Sequence, residues 1–145
     1  MKILILSIIA TSLMTAFSYL YSFFTGHQFR EPELLNQLLN SNALPIKATS
    51  NSWIGWFLHF LLGYVFAVLL YLTWNFLKIE PSWSIAVISG IVAGFIGVFS
   101  WQCLFSLSPD PPAIPLFNFY FQLIIAHIIF CLSIIVFEML ESHFL

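Results

Sequence analysis

Four apolar runs of about 20 residues, near 3–24, 53–76, 84–107 and 116–137, constrain this chain more than any other feature. Each is the length a helix needs to cross the hydrocarbon core of a bilayer. Inside lipid only helices and closed barrels satisfy their own backbone, and none of these runs alternates with the two-residue period of a barrel strand. Composition agrees, since 61% of the 145 residues are hydrophobic and 7% are charged, against roughly 25% charged in soluble domains. A water-soluble fold so poor in charge would expose large apolar patches and aggregate. The expected class is an all-α integral membrane protein: one transmembrane domain over 1–145, a compact left-handed four-helix bundle. Its first partner is the lipid bilayer. A net charge of −2 leaves no basic footprint for nucleic acid, and no lysine or arginine cluster marks an anionic-lipid patch.

The first run has a competing reading as a secretory signal peptide, with Lys2 as its positive start and Ala10 or Ala16 near a cleavage site. Its apolar stretch is longer than the roughly 7–15 residues of a signal core. It also carries Ser7, Thr11, Thr15, Ser18 and Ser22 on one helical stripe, which suits close packing inside a membrane bundle. A retained first span is expected.

The only sizeable polar segment joins the first two spans, Thr25 to Ser52. Pro32 suits a first helical turn, and Glu31 and Glu33 suit the positive end of a helix dipole. Leu34, Leu35, Leu38 and Leu39 share a face, so a short amphipathic helix is expected in this loop, lying on the membrane surface or capping the bundle. Asn42 to Ser52, with Pro45, reads as irregular loop. A tight turn around Lys78, Glu80 and Pro81 joins the second and third spans. Pro109, Pro111, Pro112 and Pro115 stiffen the corner before the fourth. Connections this short predict antiparallel neighbours in sequence order. Lys2 and Lys78 lie on one side and Arg30 and Lys47 on the other, so the positive-inside count ties; the lysines abutting their helices lean towards cytoplasmic termini. Trp53, Trp56, Trp74, Trp83 and Trp101 stand near span ends, as interfacial belts would place them.

Small residues suggest where helices meet. Gly90, Gly94 and Gly97 share the third span with Ala86, Ala93 and Ser100, and Gly90/Gly94 form a small-xxx-small pair. Such a pair packs inside a monomer or forms a subunit seam. In the second span Gly55, His59, Gly63 and Ala67 recur every fourth residue, which points His59 into the bundle. In the fourth, His127 and Cys131 are four apart and Glu138 continues their face. Ionisable groups at membrane depth are costly and often functional. His59, His127 and Cys131 are therefore the candidate intramembrane polar site. Its chemistry is open between haem ligation, a soft metal such as copper or zinc, proton relay and a small polar substrate. The plainer alternative is a pair of neutral histidines hydrogen-bonded to neighbouring helices.

No catalytic constellation is present: no His-Glu-x-x-His, no glycine-rich phosphate loop, no nucleophile elbow. Glu31, Glu33 and Asp110 read as helix-start and turn residues, His27 and His143 as solvated, and Cys103 and Cys131 as buried small hydrophobes. A non-enzymatic protein without a cofactor is expected, with any metal left undetermined.

Ala10-Thr11-Ser12-Leu13-Met14-Thr15, Gly55-Trp56-Phe57-Leu58-His59-Phe60 with Gly63, the Pro111-Pro112 corner and Ala126-His127-Ile128-Ile129-Phe130 together resemble a group of small, uncharacterised bacterial inner-membrane proteins with four spans. Members carry an acidic residue where Thr15 stands here. The resemblance implies a multi-pass inner-membrane location and draws attention to His59 and His127, but implies no activity. The leading expectation is a structural or accessory protein whose partner is a larger membrane complex. The alternatives are a polar site at His59 and His127, or a small oligomeric transporter joined along Gly90/Gly94.

Overall fold

A computed structural model describes residues 2–41, 48–49 and 51–144, with side chains to 140. Most of the loop expected over 42–52, including Pro45 and Lys47, lies outside the described residues, as does the side chain of His143. The regular secondary structure of the described residues is all α-helix, without strands. The helices are α1 (Lys2–Thr25), α2 (Glu31–Ser41), α3 (Trp53–Leu77), α4 (Trp83–Leu107) and α5 (Leu116–Phe144). Four of them, α1, α3, α4 and α5 up to Leu140, are long and apolar enough to cross a membrane.

Each helix begins and ends for local reasons. Gly26, at φ 70°, terminates α1. Ser52 and Ser82 stand in extended conformation ahead of α3 and α4, and their hydroxyls accept from the amides of Ile54 and Ile85, which satisfies orphan donors of the first turn. Lys78 closes α3 in the left-handed conformation. Much of the outer surface is leucine, isoleucine, valine and phenylalanine, with Leu72, Phe76, Phe95 and Phe99 all more than half exposed. Water would penalise that surface and hydrocarbon does not.

The hydroxyl stripe of α1 does face inward: Ser7, Thr11, Thr15, Ser18 and Ser22 are all buried. α1 lies between α5 and α3, α4 packs on α5, and α2 packs on α3. The glycines explain why the backbones approach so closely. A Cβ on Gly90 would stand 2.5 Å from the Ile128 Cα, and one on Gly94 2.8 Å from the Ile124 Cα. The Gly90/Gly94 face is thus covered by α5 of the same chain, which removes it as a subunit seam. A Cβ on Gly63 would overlap the Thr11 hydroxyl, and one on Gly55 would overlap the Pro32 carbonyl. Those two glycines let α3 press against α1 and α2.

Sequence order does not decide every neighbour. α3 and α4 meet near their shared turn, where the Trp74 indole N–H donates to the Ser89 hydroxyl at 3.2 Å. Beyond it they part around a cleft of about 360 Å³. The reason is that α4 turns its small-residue face to α5, and backbone contact there outweighs the short turn to α3. Two tryptophans also depart from the belt expectation: Trp74 and Trp101 are buried in the bundle, whereas Trp53 and Trp83 are exposed.

α2 is drawn into the end of the bundle where α1 and α4 finish and α3 and α5 begin. Phe29, Leu34, Leu35 and Leu38 form one apolar cluster with Trp101, Phe105, Phe119 and Leu123. The Asn36 carboxamide accepts from the Gly55 amide and donates to the Ser52 carbonyl, both at 2.8 Å. Ser41 and Ser108 share a hydrogen bond at 2.8 Å that ties the end of α2 to the proline corner. At the opposite end Lys2 pairs with Glu138 at 3.0 Å, and the Tyr71 hydroxyl donates to the same carboxylate.

Candidate functional site

Docking α2 brings a carboxylate into the bundle. Glu31 is 1% exposed. Its Oε1 accepts from the Ser18 hydroxyl of α1 at 2.7 Å and from the Gln122 carboxamide of α5 at 3.0 Å. Among the described residues its Oε2 has no partner, and neither does Gln122 Oε1 or Thr11 Oγ1. Ser18 lies seven residues before the end of α1 and Gln122 six after the start of α5. At 1.5 Å per residue the carboxyl sits about 10 Å inside the span ends. Burial pushes it up from 4.5 to about 7, against the opposing pull of the Gln122 and Ser18 hydrogen bonds. A proton on Glu31 belongs on Oε2, because Oε1 already accepts two donors. Oε2 is therefore a donor when the acid is neutral and an acceptor when it is ionised.

Glu31 lines a cavity of about 110 Å³ with Thr11, His59, Gly63, Gly97 and His127. The two histidines singled out from sequence thus share one space, each 7% exposed. Their tautomers are assigned from their partners. His127 Nδ1 is 2.8 Å from the Leu123 carbonyl, which can only accept, so Nδ1 carries the proton and Nε2 the lone pair. His59 Nε2 is 2.9 Å from Thr15 Oγ1. Since Thr15 donates to the Thr11 carbonyl at 2.6 Å, it accepts from His59, and His59 Nδ1 holds the lone pair. The His127 ring also meets Phe66 edge-on, with centroids 5.4 Å apart. Gly97 makes its room, since a Cβ there would stand 2.8 Å from the ring Cε1.

Cys131 does not join them. It is buried in the apolar core with Ala10, Met14 and Ile134 and lines the α3–α4 cleft instead. Nor does Glu138 extend the site, being engaged with Lys2 and Tyr71 at the far end. Among the described residues no group of three His, Cys, Asp or Glu is placed to hold a metal ion. The cavity is also well below the roughly 300–1,000 Å³ that encloses drug-sized ligands, so a haem macrocycle does not fit between the imidazoles. What the arrangement offers is acceptor capacity: two imidazole lone pairs and a carboxyl oxygen, with no lysine or arginine among the lining residues. Arg30 is occupied elsewhere, paired with Glu33 at 3.1 Å and lying over the Tyr19 ring.

Glu31 is the residue that sequence reasoning passed over, taking it for a helix-start acid. Its signal was available. Glu31, Leu34, Leu35 and Leu38 follow the i, i+3, i+4, i+7 spacing of one helical face, so this acid sits on the apolar stripe whereas Glu33 does not. No family model matches the chain, and no curated protein or solved structure does either.

Proposed function

We propose that this chain is a non-enzymatic multi-pass protein of a bacterial inner membrane, and that its bundle holds a small binding site at Glu31, His59 and His127. The site exchanges a proton at Glu31 and accepts a small hydrogen-bond-donating guest. One observation carries this reading: a fully buried carboxyl whose second oxygen has no partner among the described residues lines a cavity together with two imidazoles. Buried polar groups are normally satisfied, and an orphan at membrane depth is a mark of function. A purely structural carboxyl would spend both oxygens on neighbouring helices.

The accessory, structural reading has its own support. Ser18, Glu31 and Gln122 tie α1, α2 and α5 into one hydrogen-bonded unit. The two readings differ in whether the carboxyl exchanges its proton in the folded protein. Infrared difference spectra of the protein in mild detergent, recorded through neutral pH, test this. The binding reading expects a protonated-carboxyl band that disappears as pH rises through about 7 and is missing from Glu31→Gln. A carboxyl that stays in one protonation state across that range leaves only the structural role.

A further inference from the structure

The inner cavity and the α3–α4 cleft share three wall residues, Phe66, Ser100 and Phe130. They therefore lie side by side, both mostly apolar, and the carboxyl and the two imidazoles line only the inner one. The cleft is walled by Leu69, Leu70, Val92 and Ile96 over a floor of Phe130 and Cys131, and holds about 360 Å³. Leu69, Val92 and Ile96 are each more than half exposed, so its mouth opens sideways, on the surface that faces hydrocarbon in a bilayer. From Phe66 to Trp74 it follows α3 for eight residues, about 12 Å at the helical rise. The neighbouring inner cavity is lined by Thr11 and Glu31, both at least 99% buried, each with a polar atom that has no partner among the described residues.

We infer that the two cavities together receive one single-chain amphiphile from the bilayer. Its apolar tail lies in the α3–α4 cleft, and a hydrogen-bond-donating head, a hydroxyl or a protonated amine, meets Glu31, His59 and His127. This rests on the reading of the inner cavity as a binding site and adds the class of guest and its route. The polarity of the head follows from the donor count. His59 Nδ1 and His127 Nε2 accept, Glu31 Oε2 joins them once ionised, and among the described lining residues no cationic side chain is present to hold a phosphate or carboxylate. A carboxylate head would face Glu31 with like charge and two lone pairs, which selects against it. The tail follows from the cleft, since a head arriving through water would have no use for an apolar corridor open to lipid. Phe29, Trp101, Phe105 and Phe119 pack together at the end of the bundle where α2 docks.

Native mass spectrometry of the full chain, released from detergent after incubation with dodecylamine, dodecanol, dodecanoic acid or methyl dodecanoate, tests the inference at neutral pH. A one-to-one adduct with the amine, the alcohol or both, at roughly tenfold or greater preference over the acid and ester, is expected; an acceptor–donor pair at a charged group supports a ratio of that size. Amine against alcohol identifies which donor head the site takes. Val92→Trp, at an exposed position, should fill the cleft and abolish the adduct while keeping the Glu31 carboxyl band. Equal retention of all four probes, retention of none, or an adduct that survives Val92→Trp overturns the inference. A titrating carboxyl band without any adduct sinks the amphiphile and leaves the proton-exchanging site standing, whereas loss of both sinks both.

Discussion

Replacing Glu31 by glutamine should make the bundle more resistant to rising pH, by an amount that the structure sets. In the folded protein burial raises the carboxyl from 4.5 to about 7, so between those values the folded state holds a proton that the unfolded state has lost. Stability falls with pH wherever the folded state binds more protons. The contribution is complete below pH 4.5 and lost above about 7. At about 1.4 kcal/mol per pH unit, the gap corresponds to about 3 kcal/mol. Glutamine keeps an oxygen to accept from Ser18 and Gln122, places an amide where Oε2 stood, and never ionises. Other ionisable groups face Glu31 or flank it, namely Tyr19, Arg30 and Glu33 beside it and His59 and His127 across the cavity, and they are present in both proteins. The informative quantity is therefore the difference between wild type and variant at each pH, which cancels them. Unfolding by sodium dodecyl sulfate in mixed micelles, followed by tryptophan fluorescence from pH 4.5 to about 8, supplies that difference. The variant should gain on wild type by about 3 kcal/mol across the window. A difference that stays flat, or one that moves in favour of wild type as pH rises, would refute the assignment of a buried, proton-binding Glu31.

Gly94→Leu drives a side chain into the Ile124 backbone, 2.8 Å from where its Cβ would stand. It should cost about 1–3 kcal/mol by overpacking, seen as a lower unfolding midpoint with the oligomeric state unchanged; dissociation of an intact folded subunit would instead restore the seam. Thr15→Val removes the partner of His59 Nε2. A double-mutant cycle with His59→Leu should give a coupling near 0.6 kcal/mol, the usual size for interhelical bonds in membranes, and no coupling at all would mean that the contact does not hold in solution. Asn36→Leu strips the hydrogen bonds to the Gly55 amide and Ser52 carbonyl. The expected cost is about 1–3 kcal/mol, with faster hydrogen exchange at the Gly55 amide; unchanged protection there would place α2 somewhere other than on α3.

Much of this architecture is legible in the chain because long apolar runs follow a simple code. Length and hydropathy alone locate four long helices, and the four-residue recurrence of Gly55, His59 and Gly63 turns His59 inward. Sequence puts His127 on the Cys131 face of the last span without saying what that face meets; in the structure Gly97 of α4 makes the room for its ring. The pairing of helices is less legible, since a five-residue connection between α3 and α4 says nothing about which face each prefers. The preference lies in Gly90 and Gly94, whose partners Ile124 and Ile128 carry no distinguishing mark in sequence. The shared face of His127 and Cys131 also misleads. One helical face is wide enough to border two spaces, and Phe130 lines both. Glu31 was hidden for another reason. Its place in a loop suggests water, and only the coincidence of its position with Leu34, Leu35 and Leu38 tells that the loop helix folds back with the acid inward.

That acid is carried on α2 rather than on a span, and this bears on how the protein is made. The spans α1, α3 and α4 contain no acidic residue, and α5 contains only Glu138 within its apolar window. A charged side chain at the centre of an inserting helix costs about 2.5–3.5 kcal/mol on translocon scales. By bringing Glu31 in from the side, on a helix that never has to partition as a span, the chain obtains a carboxyl at membrane depth while every span inserts on hydrophobicity alone. The arrangement predicts two stages of biogenesis, insertion of four helices followed by closure of α2. The polar site comes into being only at the second, so an incompletely assembled copy has no acid inside its bundle.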